Sequence, residues 1–205
     1  MRNSLRFDLS DYLIHFFRHV DISSEAAPVL TPESMGFANL NEDVEWSAAF
    51  MLRCAIRHQR LWSTWSFRGG VRTIYGRSPA VCFTEMPLAA FLDAAETREA
   101  RGEAMSSYAL VFPKAAMYML GANPVIYGLD QRHAVAFQDG DARVFTTDVL
   151  ADREQYRYVT YNPNLSRPID WTHEREWRWP FRGDIGAFEH ELEINGVIES
   201  PSDMP

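Results

Sequence analysis

The sequence predicts an α+β fold, and three observations predict it. Helical apolar periodicity is confined to the first half of the chain, short β-like runs fill the second, and the two patterns do not alternate as they would in a doubly wound sheet. The clearest helix spans residues 45–65, where Trp46, Ala49, Phe50, Leu52, Cys54, Ile56, Leu61 and Trp62 recur at near-helical spacing ahead of Gly69-Gly70. A second helix is predicted over 88–101, closed by Gly102, and a third of one or two turns over 114–120, stopped by Gly121.

Residues 79–85 predict a buried strand running into Pro87. Further β-like runs lie at 108–112, 124–127, 134–137, 144–146 and 175–180, with a short strand or turn at 71–76 and one more strand at 191–194. Residues 12–17 suit a short helix capped by Ser10-Asp11 or an aromatic and β-branched strand, and both readings stay open. Residues 21–45, acidic and broken by Pro28, Pro32 and Gly36, read as loop, with room for one short turn of helix. There is no internal repeat.

A chain of 205 residues with 46% hydrophobic and 13% aromatic residues is expected to fold, as one domain over 1–205 with its core at about 10–182 and a loosely held tail at 183–205. The net charge of −8 argues against an indiscriminate electrostatic grip on nucleic acid. Lys114 is the only lysine, so nearly all positive charge sits on arginine, whose fork suits phosphate or carboxylate. Cys54 and Cys82 are too few for a disulfide framework and lack zinc-site spacing, so both are expected as buried thiols. His133, His173 and His190 are scattered and no H-E-x-x-H is present, so no metal is expected. Polar residues His15, Arg18, His19 and Asp21 interrupt the most apolar early stretch, and no segment reaches membrane-span length; the expectation is a cytoplasmic protein without membrane contact.

The chemistry, if any, is expected around Asp170-Trp171-Thr172-His173-Glu174-Arg175-Glu176-Trp177-Arg178. As a strand, it would put Glu174, Glu176 and Arg178 on one face and Arg175, Trp177 and Trp179 on the other. The charged face reads either as a site or as a solvent-facing edge of ion pairs. His15, inside an apolar run, reads as a site residue or as a core histidine satisfied by a backbone carbonyl. Thr84-Glu85 ends a strand where polar groups reach a crevice, or forms a turn ahead of Pro87. Arg72 and Arg77 flank Tyr75-Gly76 and would suit a phosphate. Trp171, Trp177 and Trp179 are core, or a platform for a base.

Four separated motifs carry a resemblance: Leu13-Ile14-His15-Phe16; Val81-Cys82-Phe83-Thr84-Glu85-Met86-Pro87-Leu88; Lys114 ahead of Gly121-Ala122-Asn123-Pro124-Val125-Ile126-Tyr127; and Glu174-Arg175-Glu176-Trp177-Arg178. In this order, over roughly residues 10–180, the chain resembles the AbiGi-like abortive-infection proteins of phage defence. Their layout in turn is similar to the ADP-ribosyltransferase superfamily, including the DarT-like enzymes. That resemblance implies a split antiparallel β-sheet core, with helices mostly from the N-terminal half and NAD as substrate. It implies that His15 on an early strand binds the nicotinamide ribose, that Thr84 on a middle strand supports the pocket, and that Glu176 on a late strand is catalytic. Arg72 or Arg77 would hold the pyrophosphate, and Tyr127 or Phe16 would pack on the nicotinamide ring. The middle element here is Phe-Thr-Glu where the superfamily has Ser-Thr-Ser.

The expected function is therefore an NAD-consuming transferase or glycohydrolase of phage defence, acting on a nucleic-acid or protein acceptor or on water, with a toxin or antitoxin as partner protein. The rival is a non-catalytic antitoxin or sensor with a degenerate NAD-like pocket; a third reading is an enzyme that holds a single nucleic-acid strand. Geometry separates the first two: His15 and Glu176 in one cleft favours the enzyme, and Glu176 paired on an exposed edge favours the module.

Overall fold

The computed structural model describes residues 8–21, 45–68, 71–130, 135–166 and 168–182. Most of the loop expected at 21–45, the strand expected at 191–194, the tail at 183–205, His133 and His190 lie outside the described residues.

The fold is mixed α+β around one antiparallel sheet of five strands. These are β1 (Tyr12–Phe16), β2 (Ala80–Thr84), β3 (Ala109–Pro113), β4 (Asn123–Pro124) and β5 (Glu176–Pro180), in the order β3-β1-β2-β5-β4. The segment around Tyr12 is thus a strand. Its aromatic and β-branched side chains fit a pleated surface, and Ser10 Oγ accepts from the amide of Tyr12 at the strand's entry rather than capping a helix.

Alternation sorts the strands' side chains. Leu13, Phe17, Val81, Phe83 and Trp179 share a core with Met51, Cys54 and Ala55 of helix α1 (Ala48–His58). On the other face Ile14 packs with Phe91 and Ala95 of helix α2 (Leu88–Ala100), with Phe16 against them. Helix α3 (Lys114–Met119) follows β3 directly.

Several boundaries correct the sequence expectation. Helix α1 is shorter than 45–65 because Ser47 caps it, its side chain accepting from Phe50 N at 3.2 Å, while Glu45 and Trp46 pair with Val20 and Asp21. At the other end Gln59 turns left-handed at φ 51°, and Thr64 then pairs with Ala80. The run at 124–127 splits between β4 and Ile126–Tyr127, which pairs in parallel with Tyr158–Val159. The run at 134–137 shifts into a hairpin of Phe137–Asp139 with Ala142–Val144. Strand β5 begins only at Glu176, because Arg175 is left-handed at φ 46° behind a 3₁₀ turn at Thr172–Glu174. Among the described residues no helix is long and apolar enough to cross a membrane.

The joint between β1 and β2 is the irregular feature of the sheet. Strands β1 and β3 align in register from Tyr12 opposite Pro113 to Phe16 opposite Ala109, and β2 and β5 from Glu176 opposite Thr84 to Pro180 opposite Ala80. Between β1 and β2 only Ile14 and Thr84 are partnered. Beyond that pair the two strands part.

Candidate functional site

The amide of Glu85 donates to the carbonyl of Arg175 at 3.0 Å, and that of Phe181 to Pro79 at 2.9 Å, so these pairs are the hydrogen-bonded ends of the β2–β5 ladder. Antiparallel alternation then makes Glu176 opposite Thr84 and Arg178 opposite Cys82 the pairs whose side chains approach most closely and whose backbone groups point outward. The Cys82 carbonyl therefore faces the gap. There His15 Nδ1 bonds it at 2.9 Å, a side chain standing in for a missing rung of the sheet.

A carbonyl only accepts, so Nδ1 carries the proton and Nε2 keeps its lone pair. Burial, reinforced by the nearby charge of Arg18 and opposed by the Cys82 carbonyl, pulls the His15 pKa down to about 4. The ring is neutral at pH 7. The carbonyl bond is what a core histidine would make, yet His15 also lines a cavity.

That cavity, about 1030 Å³, opens where β1 and β2 part. His15 lies with Leu13 and Phe17 in the pleat, its ring 4.9 Å from Phe17 and 5.7 Å from Phe83, while Thr84 and Glu176 lie with Ile14 on the opposite side. Side chains from both sides line the cavity, and His15, Phe16, Thr84 and Glu176 are all among them.

Glu176 is not on an exposed edge. Its carboxylate accepts from Arg178 Nε at 2.8 Å and Nη2 at 3.3 Å, with side-chain exposures of 14% and 5%. Arg178 Nη1 donates in turn to the carbonyls of Tyr156 at 2.6 Å and Tyr158 at 3.2 Å. Burial, then the negative charge of Glu176, pushes the Cys82 thiol up, so the sulfur stays protonated at neutral pH. Cys82 is only partly buried; Cys54 is the fully buried thiol, raised by burial to about 11. The Thr84 hydroxyl donates to the Glu174 carbonyl at 2.5 Å and accepts from Met86 N at 3.2 Å, which ties the turn before β5 to the end of β2.

Glu174 does not share the strand with Glu176 as the alternation predicted. It sits in the 3₁₀ turn and accepts from Arg98 Nη1 at 3.2 Å, still at the cavity wall. Arg175 reaches away to Asp8.

Three predicted ligand contacts fall outside the cavity. Tyr127 is behind β5, its hydroxyl accepting from the Glu176 amide at 3.0 Å, because the 124–127 run leaves the sheet after β4. Arg72 lies over the Trp65 ring at 4.3 Å and pairs with Asp141 at 3.4 Å. Arg77 pairs with Asp139 and Asp152 beside a separate pocket of about 300 Å³. Proximity to Gly76 could not reveal that the aspartates of a hairpin far along the chain take both guanidiniums.

The residues that sequence reasoning passed over are Cys82 as a wall, Arg98 and Arg143, while Trp171, read there as core or as a platform for a base, lines the cavity. Arg143 lies over the Tyr75 ring at 4.1 Å, in a hairpin whose sequence carries no site signal. Among the described residues no group of three or more His, Cys, Asp or Glu side chains is set to hold a metal.

The chain matches no protein-family model. No curated protein and no solved structure matches it significantly either. The chemistry of the site is therefore that of its own residues: a neutral imidazole offering an acceptor, a carboxylate held by a buried guanidinium, and aromatic walls in a cavity large enough for a small-molecule ligand.

Proposed function

We propose that this chain is an NAD-consuming enzyme of ADP-ribosyltransferase or NAD glycohydrolase type, acting in bacterial phage defence as its resemblance to AbiGi-like and DarT-like proteins implies. The supporting observation is that the strands bearing His15, Thr84 and Glu176 are neighbours, and that all three side chains line one cavity at the split in the sheet.

The bond between nicotinamide and ribose breaks with its electron pair leaving on nicotinamide, and positive charge develops on the ribose. A carboxylate beneath the sugar stabilises that charge most at the transition state. Glu176 takes this role. Arg178 fixes the orientation of Glu176 in the cavity. His15 Nε2 accepts a hydrogen bond from a ribose hydroxyl, and Phe16 packs on the nicotinamide ring. A nucleophile on a nucleic acid, a protein or water then attacks the ribose carbon.

Incubation with NAD, with and without cell extract, tests the reading. Nicotinamide release is expected from the wild type and is expected to fall by at least about 100-fold in Glu176→Gln. No release under either condition overturns it. A specific observation favours the rival, an NAD-binding sensor or antitoxin: the Glu176 carboxylate already engages Arg178 through both oxygens. The rival predicts that NAD binds and survives intact.

A further inference from the structure

Four arginines line the large cavity, Arg18, Arg98, Arg143 and Arg178, against three carboxylates, Glu103, Glu174 and Glu176. In a chain of net charge −8, a cavity with an excess of positive charge stands against the overall balance. The carboxylates are already taken. Arg178 holds Glu176, and Arg98 holds Glu103 at 2.7 Å and Glu174 at 3.2 Å. Arg18 and Arg143 have no carboxylate partner among the described residues.

Arg143 is the better built of the two. Its guanidinium lies over Tyr75, which stacks on Phe145 at 5.3 Å and meets Tyr158 edge-on at 4.7 Å. The Tyr75 hydroxyl shares a hydrogen bond of 3.2 Å with Thr160, another cavity residue. The Arg143 carbonyl accepts from Gly76 N at 2.8 Å, so backbone and side chain are both anchored. Arg143 Nε is sealed from solvent without a hydrogen-bond partner. A ligand therefore meets this guanidinium through its two terminal nitrogens, a side-by-side pair of donors that suits two oxygens of one anion. Hydroxyls of Thr64, Thr73 and Thr160 line the same cavity.

We infer that Arg143, with Arg18 as a second cation, is the anion-binding element of this cavity, and that the ligand it takes carries phosphate. A fork presented flat on an aromatic platform matches two oxygens of a phosphate, which a lysine does not. This assignment rests on the proposed function for the identity of the ligand as a dinucleotide, and it replaces Arg72 and Arg77 in the phosphate-holding role.

The test compares ADP with adenosine by calorimetry, on wild-type protein and on Arg143→Gln and Arg143→Lys, with NAD cleavage followed in parallel. Wild type is expected to bind ADP at least about ten-fold tighter than adenosine. Arg143→Gln is expected to lose that preference and keep the adenosine affinity, and Arg143→Lys to retain part of it. Equal ADP affinity in wild type and Arg143→Gln, no preference for ADP in the wild type, or no binding of either compound overturns the inference. Should Arg143→Gln not fold, Arg143→Lys decides: ADP affinity equal to wild type overturns it. The two readings fail separately. ADP binding that depends on Arg143 without NAD cleavage leaves the inference standing and removes the enzyme; NAD cleavage with unchanged KM in Arg143→Gln does the reverse.

Discussion

Glu176→Gln keeps the side chain's shape and removes its charge, but it also leaves Arg178, 5% exposed, without its counter-ion. Because the pair is buried, the substitution is expected to lower stability by roughly 1–3 kcal/mol, softened by the Tyr156 and Tyr158 carbonyls that still accept from Arg178. Urea denaturation beside nicotinamide release separates the two effects. Glu174→Gln is the control, since Arg98 keeps Glu103; stability there should change by less than about 1 kcal/mol, with a smaller loss of rate than at Glu176.

His15 makes a second residue-scale prediction. Its pKa is lowered from 6.5 to about 4, so the unfolded chain binds the proton more readily than the folded one. The stability this contributes is present in full above pH 6.5 and is lost as pH falls toward 4, on the order of 3 kcal/mol in all. Unfolding midpoints at pH 7 and pH 4.5 should therefore differ less in His15→Phe than in wild type. An equal difference in both removes His15 as the source. A sequence shows a histidine in an apolar run; it does not show whether a carbonyl is waiting, and here the carbonyl is exposed only because the neighbouring strand departs.

At the scale of elements, the apolar period located α1 and the buried apolar run located β2, because burial leaves a mark in sequence, while α2 and α3 were marked by the glycines that close them. The ends were less legible. Ser47 and Gln59 close α1 well inside its periodic run, and Arg175 delays β5 through a left-handed φ that no residue type announces. Gly76 is an element-scale constraint of another kind. It has φ +78°, and a Cβ there would stand 2.8 Å from Cβ of Gln155. Gln155 cannot yield easily, being fully buried and bonded to Phe145 through both its amide nitrogen and oxygen. Gly76→Ala is expected to cost about 1–3 kcal/mol and to displace Tyr75, with Arg143 above it. Thermal denaturation checks the first effect, ADP affinity the second. Retention of both would show that this turn has more room than its geometry suggests.

For the whole molecule, the α+β class was legible from where the two periodicities fall, and so was the segment around Glu176. The assembly of the site was not. His15, Thr84 and Glu176 come from strands far apart in the chain, and only strand pairing brings them together, while Tyr127, Arg72 and Arg77 were each claimed by partners that sequence proximity does not report.

The parting of β1 from β2 has a mechanical side. The β1–β3 and β2–β5 ladders are each continuous, and Ile14 with Thr84 is the only pair joining them. Two stiff leaves so joined can swing about that rung without breaking either ladder, and the His15–Cys82 bond is the light latch across the opening. Amide hydrogens within each ladder should exchange with solvent deuterium as a slow cooperative block, while those bordering the opening exchange faster until a ligand bridges the leaves. Slow exchange along the opening in the empty protein would mean that the hinge is locked.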